Sequence, residues 1–443
     1  MILLLQMFLS PFKSLCFIVL MGLLWPVPGH TSCQETTQHI FAPLYEYRAS
    51  CSVDYSSLHL LGPIVKYESK ADEYDVALRP LFYHSVATDR DAALTDLLFP
   101  LFQYKRDENV RSFSILRIIN FDRTRSESDA DSTFWLFPIV YYREATGRPT
   151  SFSVFPFGGT MYDRLGRDEI SYALWPLYIS TKKNHTRVKN YLWPFFATIS
   201  GDSPDEKGYK VWPLFGRAEM PGEYRKFFLL WPFWFNYDED QQTVNPVSKR
   251  YFFPFYLHYE SPLLSKRTIL WPFFSWENNR DKGYEEWNYP WPLWQRAKGE
   301  YKHGWKFLPF ASDMTRNDVR TRWFIWPLAK YENQHYENLD RRRFRVLFFL
   351  YRDLKEMYIE PEQERYRRVL FWPLFGYEKR KGVSHFYTLA LLEPIAPDSE
   401  GLERNWSPLW RLYQKKWDGQ GNSVTSVLWN LYWSEFRADG AAW

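Results

Sequence analysis

The sequence predicts an all-β protein laid out as an antiparallel meander, and three observations carry that expectation. Aromatic residues make up 20% of the chain, with 36 Phe, 31 Tyr and 22 Trp, and such side chains favour pleated, half-buried surfaces over helices. A short aromatic-Pro-Leu-aromatic motif recurs about every 19 residues. No amphipathic helical stretch of convincing length separates the copies, which removes parallel βαβ architecture and leaves short antiparallel connections.

The chain begins with a segment that does not fit this pattern. Residues 1–29 read MILLLQMFLSPFKSLCFIVLMGLLWPVPG, with Lys13 as the only charge. The apolar run that follows Lys13 is about a dozen residues long, which suits the h-region of a signal peptide and falls short of the ~20 residues that span a bilayer. Pro26 and Pro28 then precede a small-residue stretch. We expect a signal peptide over 1–32 and a single β-repeat domain over 33–443, with the most regular repeats between 171 and 378. Of the three cysteines, Cys16 lies in the apolar run, and Cys33 and Cys51 follow it. Cys33 and Cys51 are expected to pair as a disulfide, closing a loop worth ~3 kcal/mol in a chain-entropy model. The alternative is a lipidated Cys33, since Thr31 and Ser32 precede it, although His30 stands where an aliphatic residue is expected.

The repeat is the main signal. LWPLY occupies 174–178, LWPFF 192–196, VWPLF 211–215, LWPFW 230–234, FFPFY 252–256, LWPFF 270–274, IWPLA 325–329 and FWPLF 371–375. Weaker copies run upstream to FAPLY at 41–45, and divergent ones close the chain at 389–392, 407–413 and 426–433. Random placement of 22 Trp and 29 Pro gives about 1.4 Trp-Pro pairs, whereas eight follow the N-terminal segment. The structural repeat residues are therefore Trp175, Pro176, Trp193, Pro194, Trp212, Pro213, Trp231, Pro232, Trp271, Pro272, Trp326, Pro327, Trp372 and Pro373.

Each unit reads as one strand plus one turn, as in residues 266–278 followed by Asn279-Arg280-Asp281-Lys282-Gly283. That gives about 20 strands. Alternation counted from the proline puts an apolar band of about nine residues on one face, roughly 30 Å at ~3.3 Å per residue. Aromatic residues flank both ends, as on the outside of a transmembrane barrel. The leading expectation is a meander closed into a large barrel-like sheet, with a β-propeller and a β-solenoid as alternatives. Two features oppose the barrel: the second face also has an apolar centre, and a proline in mid-strand removes a ladder donor.

Chemistry is sparse. The nine histidines are scattered, and no HExxH, GxSxG, Walker loop or GxGxxG occurs. Acidic pairs such as Glu285-Glu286 fall in expected turns. No catalytic residue, cofactor or metal site is expected, and the chain is not read as an enzyme. A net charge of +4 supplies no strongly basic field for nucleic acid. The fragments above, spanning about residues 41–433, resemble a group of exported bacterial proteins built from WPLF-type repeats. That resemblance implies bacterial origin and export, and carries over no activity. The expected role is a non-catalytic cell-envelope protein, exported to the outer membrane or periplasm of a Gram-negative bacterium. Its form would be an outer-membrane barrel or a barrel-like structural or passage protein in contact with outer-membrane lipid. The alternative is a soluble periplasmic or surface-exposed scaffold for a glycan or an envelope protein, since exposed Trp and Tyr stack on sugar rings.

Overall fold

A proline has no N–H to give to a strand ladder, and in this chain it marks the point where the backbone reverses. The segment 266–278, which reads as one strand through Pro272, falls on two: Leu264–Ile269 and Phe274–Asn279, joined by the turn 270–273. Each repeat thus supplies two strands, and the expected count of about 20 becomes 40 among the described residues. The computed structural model describes residues 36–50, 54–125, 130–397 and 399–438. The expected signal peptide (1–32), Cys16, Cys33 and Cys51 lie outside them.

All 40 strands, from β1 (Thr36–Phe41) to β40 (Tyr432–Phe436), belong to one antiparallel sheet. Each pairs with its neighbours in sequence, so the meander stands and the separate blades of a propeller do not occur. Most strands are six residues long, about 20 Å. Two kinds of connection alternate. Motif turns of three to five residues hold the prolines and line one end of the sheet. Short polar hairpins line the other, and several place residues in the left-handed region as two-residue hairpins require: Asn184 (φ 51), Leu165 (φ 52) with Gly166 (φ 68), and Lys381 (φ 52) with Gly382 (φ 80).

The two-strand repeat changes the faces. Alternation does not run through the proline, so the nine-residue, 30 Å apolar band is not present. On one face the residues flanking each motif turn oppose one another along a continuous apolar row, as in Tyr191, Phe196, Val211, Phe215, Leu229 and Trp234. This face is open, and most of that row is exposed. The other face is crowded. Small and polar residues occupy it, among them Asn190, Ala197, Gly216, Ala218, Ser275 and Asn288, all buried. A Cβ at Gly216 would sit 2.3 Å from the Phe228 ring.

The crowded face is held by cross-strand ion pairs. Lys266 Nζ lies 2.7 Å from Glu277 Oε2, and Lys226 Nζ lies 2.7 Å from Glu239 Oε1. Lys302 and Gln295 donate to Glu286, and Asn288 donates to it at 3.1 Å. Burial alone would raise the Glu286 carboxyl, but these donors outweigh it and hold it below the usual carboxylate range.

Among the described residues no second sheet packs against this one. The accessible surface is 28,423 Å², against about 18,000 Å² for a compact chain of this mass. Among the described residues the buried apolar cluster is only Leu370, Tyr387 and Ala390. Stability is therefore close to a sum over neighbouring strands, as in a repeat protein.

The ladder does not close: β1 pairs only with β2 (Tyr45–Ser50), and β40 only with β39 (Ser423–Val427) among the described residues. Barrel closure by backbone pairing is thus corrected. A flat ladder of 40 strands would still hold its ends about 190 Å apart at ~4.8 Å per strand. Instead Arg48 in β2 stacks 3.9 Å over the Trp433 ring of β40, and Asn430 Nδ2 donates to Glu46 at 2.5 Å. The ribbon curls until side chains of its two ends meet.

The tail departs from the repeat. Residues 400–410, which include the start of the expected copy at 407–413, form two short helices, α1 (Glu400–Asn405) and α2 (Ser407–Trp410). Ser399 caps α1 by accepting from Leu402 N, and Pro408 sits in the first turn of α2. The copy at 426–433 does form a motif turn between β39 and β40. The helical segment ties the two ends of the chain together. Arg404 Nε and Asn405 Nδ2 donate to Asp96 Oδ2 at 2.7 and 2.8 Å, and Trp406 Nε1 donates to Phe99 O at 2.9 Å. On the other side Arg368 Nη2 donates to Glu403 at 3.3 Å, and Arg411 stacks 3.9 Å over the Tyr387 ring.

Candidate membrane interface

The repeat residues singled out from the sequence gather along one end of the sheet. Trp175, Trp193, Trp231, Trp271 and Trp326 are second residues of four-residue turns, each followed by its proline: Pro176, Pro194, Pro232, Pro272 and Pro327. Trp212 with Pro213, and Trp372 with Pro373, open three-residue turns. In all of these turns the Trp–Pro bond is cis.

The turns are stitched together by their backbones. The amides of Trp175, Trp193, Trp231, Trp271 and Trp326 each donate at 2.7 Å to the carbonyl of a proline in the preceding motif turn: Pro156, Pro176, Pro213, Pro254 and Pro309. Because the proline carbonyl accepts, the ladder continues past the last strand residue. This fixes the ring spacing. Phe155 and Trp175 lie 5.2 Å apart, Trp175 and Trp193 6.3 Å, Phe195 and Trp212 6.0 Å, and Trp212 and Trp231 5.6 Å. The result is an aromatic edge of paired rings, most of which remain substantially exposed.

The first residue of each four-residue turn is more unusual. Leu174, Leu192, Leu230, Leu270 and Ile325 adopt φ of 42–50°, and each is 45–58% exposed. Glycine takes this conformation freely, and asparagine tolerates it. A branched apolar residue there costs on the order of 1–3 kcal/mol, and its exposure returns nothing in water. The side chain is worth that cost where the edge is covered by an apolar phase.

The apolar depth is limited. From the tip of a motif turn, two residues lead to the apolar row, and two more reach a row of mixed polar and aromatic residues such as Arg217, Arg250, Arg267 and Trp276. The band is therefore about 10 Å deep at ~3.3 Å per residue. The sequence singled these residues out as the repeating unit but placed them inside strands, whereas they lie in turns. It missed the left-handed leucines, whose only signal is the Leu that repeatedly precedes Trp-Pro.

Little else gathers chemistry. Among the described residues no group of three or more His, Cys, Asp or Glu is placed to hold a metal ion, and no helix is long and apolar enough to cross a membrane. His385 is the most perturbed histidine, with its pKa depressed to about 3. Burial is the main cause, and Lys416 and Arg411 add to it. Its Nε2 faces Gln414 Oε1 at 3.3 Å. Glu285 and Glu286 lie on successive positions of a strand, Tyr284–Asn288, and so face opposite sides of the sheet. No protein-family model matches the chain, and no curated protein matches it.

Proposed function

We propose that this chain is a non-catalytic cell-envelope β-repeat protein, a curled, barrel-like sheet that rests its motif edge against outer-membrane lipid. The observation that carries the reading is the exposed edge of Trp, Leu and Phe along the motif turns, since extended exposed apolar patches mark protein or membrane contact sites. Side-chain contact between its ends, through Arg48 with Trp433 and Asn430 with Glu46, supports a ring-like form. Export through the N-terminal apolar segment completes the proposal.

The short strands favour a second reading. A strand of six residues falls below the 9–11 that cross a bilayer, which suits a soluble periplasmic or surface scaffold. Such a scaffold would present its exposed rings to a glycan or an envelope protein. Fractionation decides between the two. Recovery with the membrane fraction, released by detergent but not by salt alone, is expected from lipid contact. Recovery in the soluble periplasm without detergent overturns it.

A further inference from the structure

The motif edge is apolar, but the row just above it on the open face is not, and its composition is specific. Arg267, Trp276, Trp287, Arg296 and Trp305 stand directly opposite one another on five successive strands. Arg267 and Arg296 are exposed and make no ion pair among the described residues. On the crowded face of the same strands Lys266 and Lys302 are both paired with glutamates. The unpaired cations thus face outward, between indoles, about 13 Å from the turn tips at ~3.3 Å per residue.

We propose that this row lies at headgroup level, and that the protein sits in a single leaflet of an anionic phospholipid bilayer with its motif turns inserted. The inference rests on the lipid-contact reading above and adds its depth, its orientation and its lipid class. Depth follows from the apolar band: about 10 Å lies within one leaflet of a ~30 Å hydrocarbon core and matches the burial of interfacial elements. Orientation follows from the ends of the strands, since charged and polar hairpins such as Lys183-Asn184-His185 and Arg380-Lys381-Gly382 stand opposite the motif turns. Lipid class follows from the row itself. Tryptophan seats at the membrane–water boundary. An arginine stem lies along apolar surface while its guanidinium binds phosphate in two-pronged fashion. The two arginines are three strands apart, about 14 Å at ~4.8 Å per strand, so each reaches its own headgroup.

The test is flotation of the full chain with vesicles of pure phosphatidylcholine and of phosphatidylcholine with about 30% phosphatidylglycerol, an anionic lipid that attracts Lys and Arg at the surface. Phosphatidylglycerol is expected to strengthen binding at least tenfold, with the gain lost at high salt. The pair Arg267→Gln and Arg296→Gln should remove most of that gain, about fivefold per arginine, while leaving binding to phosphatidylcholine unchanged. Replacing Leu174, Leu192, Leu230 and Leu270 by Asn, which tolerates the left-handed turn, should abolish binding to both vesicles while far-ultraviolet dichroism stays the same. Protease added outside should cut the polar hairpins of bound protein, and entrapped dye should stay inside. Equal binding to both vesicles overturns the arginine row and leaves lipid contact standing. Dye leakage with protected hairpins overturns the single leaflet. Binding to neither overturns the lipid reading itself.

Discussion

Replacing Asp96 should release the helical segment that ties the two ends of the ribbon. Asp96 is fully buried and accepts from Arg404 Nε at 2.7 Å, Asn405 Nδ2 at 2.8 Å and Gln103 Nε2 at 3.0 Å. Asp96→Ala removes all three bonds and strands a guanidinium that is itself largely buried. Breaking a buried pair by deleting one partner costs about 3–5 kcal/mol, and we take ~4. The segment then detaches roughly 10³-fold more often. Tryptic cleavage at Arg404 and Arg411 reads that population directly, since cleavage follows the open fraction when reclosing is fast. Asp96→Asn keeps the shape and loses the charge, so about 2 kcal/mol is expected. A double-mutant cycle with Arg404→Ala should return a coupling of at least ~1 kcal/mol. A change in cleavage below fivefold for Asp96→Ala, or a coupling near zero, would refute the clamp.

Three further outcomes are expected. His385 has a depressed pKa in the folded state, so its contribution is present above the ordinary value of 6.5 and is lost as pH falls toward about 3. Thermal midpoints of the wild type should therefore fall across that window more steeply than those of His385→Gln, and parallel curves would count against it. Lys302→Met leaves Glu286 buried without its cation and should cost about 3 kcal/mol near pH 7 in urea denaturation. Burial then dominates the carboxyl, so the variant should recover stability relative to the wild type between pH 7 and 4. Gly159→Ala should cost ~3 kcal/mol or more in the same assay, because φ is +146° and the new Cβ would meet Phe152 O and Ser153 Cα on the paired strand at 2.3 Å; a loss under ~1 kcal/mol would show that this strand pair relaxes.

How much of this was legible in the sequence is clearest at Pro272. Composition and the 19-residue period identified an antiparallel meander and the residues Trp271 and Pro272 as its recurring unit. What failed was the reading of Leu-Trp-Pro-Phe-Phe as strand interior. Trp271, Phe273 and Phe274 have high strand propensity, and period-2 patterning cannot register a reversal made of strand formers. The objection that proline removes a ladder donor was already visible, and it was the correct guide. The doubt about two apolar faces had the same source, because residues on either side of the proline were counted on one strand. The helices at 400–410 hid behind SPLWRLY, which imitates the motif but follows Ser399 and Glu400, a capping pattern rather than a strand. The contact of Asp96 with Arg404 spans 308 positions, and no local pattern encodes it.

The side-chain closure between chain ends also makes the ribbon a gauge of its own length. Each repeat adds two strands, about 10 Å of arc at ~4.8 Å per strand, while every strand touches little beyond its neighbours. Gain or loss of one unit would leave all local contacts intact, yet carry Trp433 away from Arg48, Asn430 away from Glu46 and Arg404 away from Asp96 together. The number of repeats is thus checked at one seam, and tolerance to repeat duplication is set there, not within the repeats.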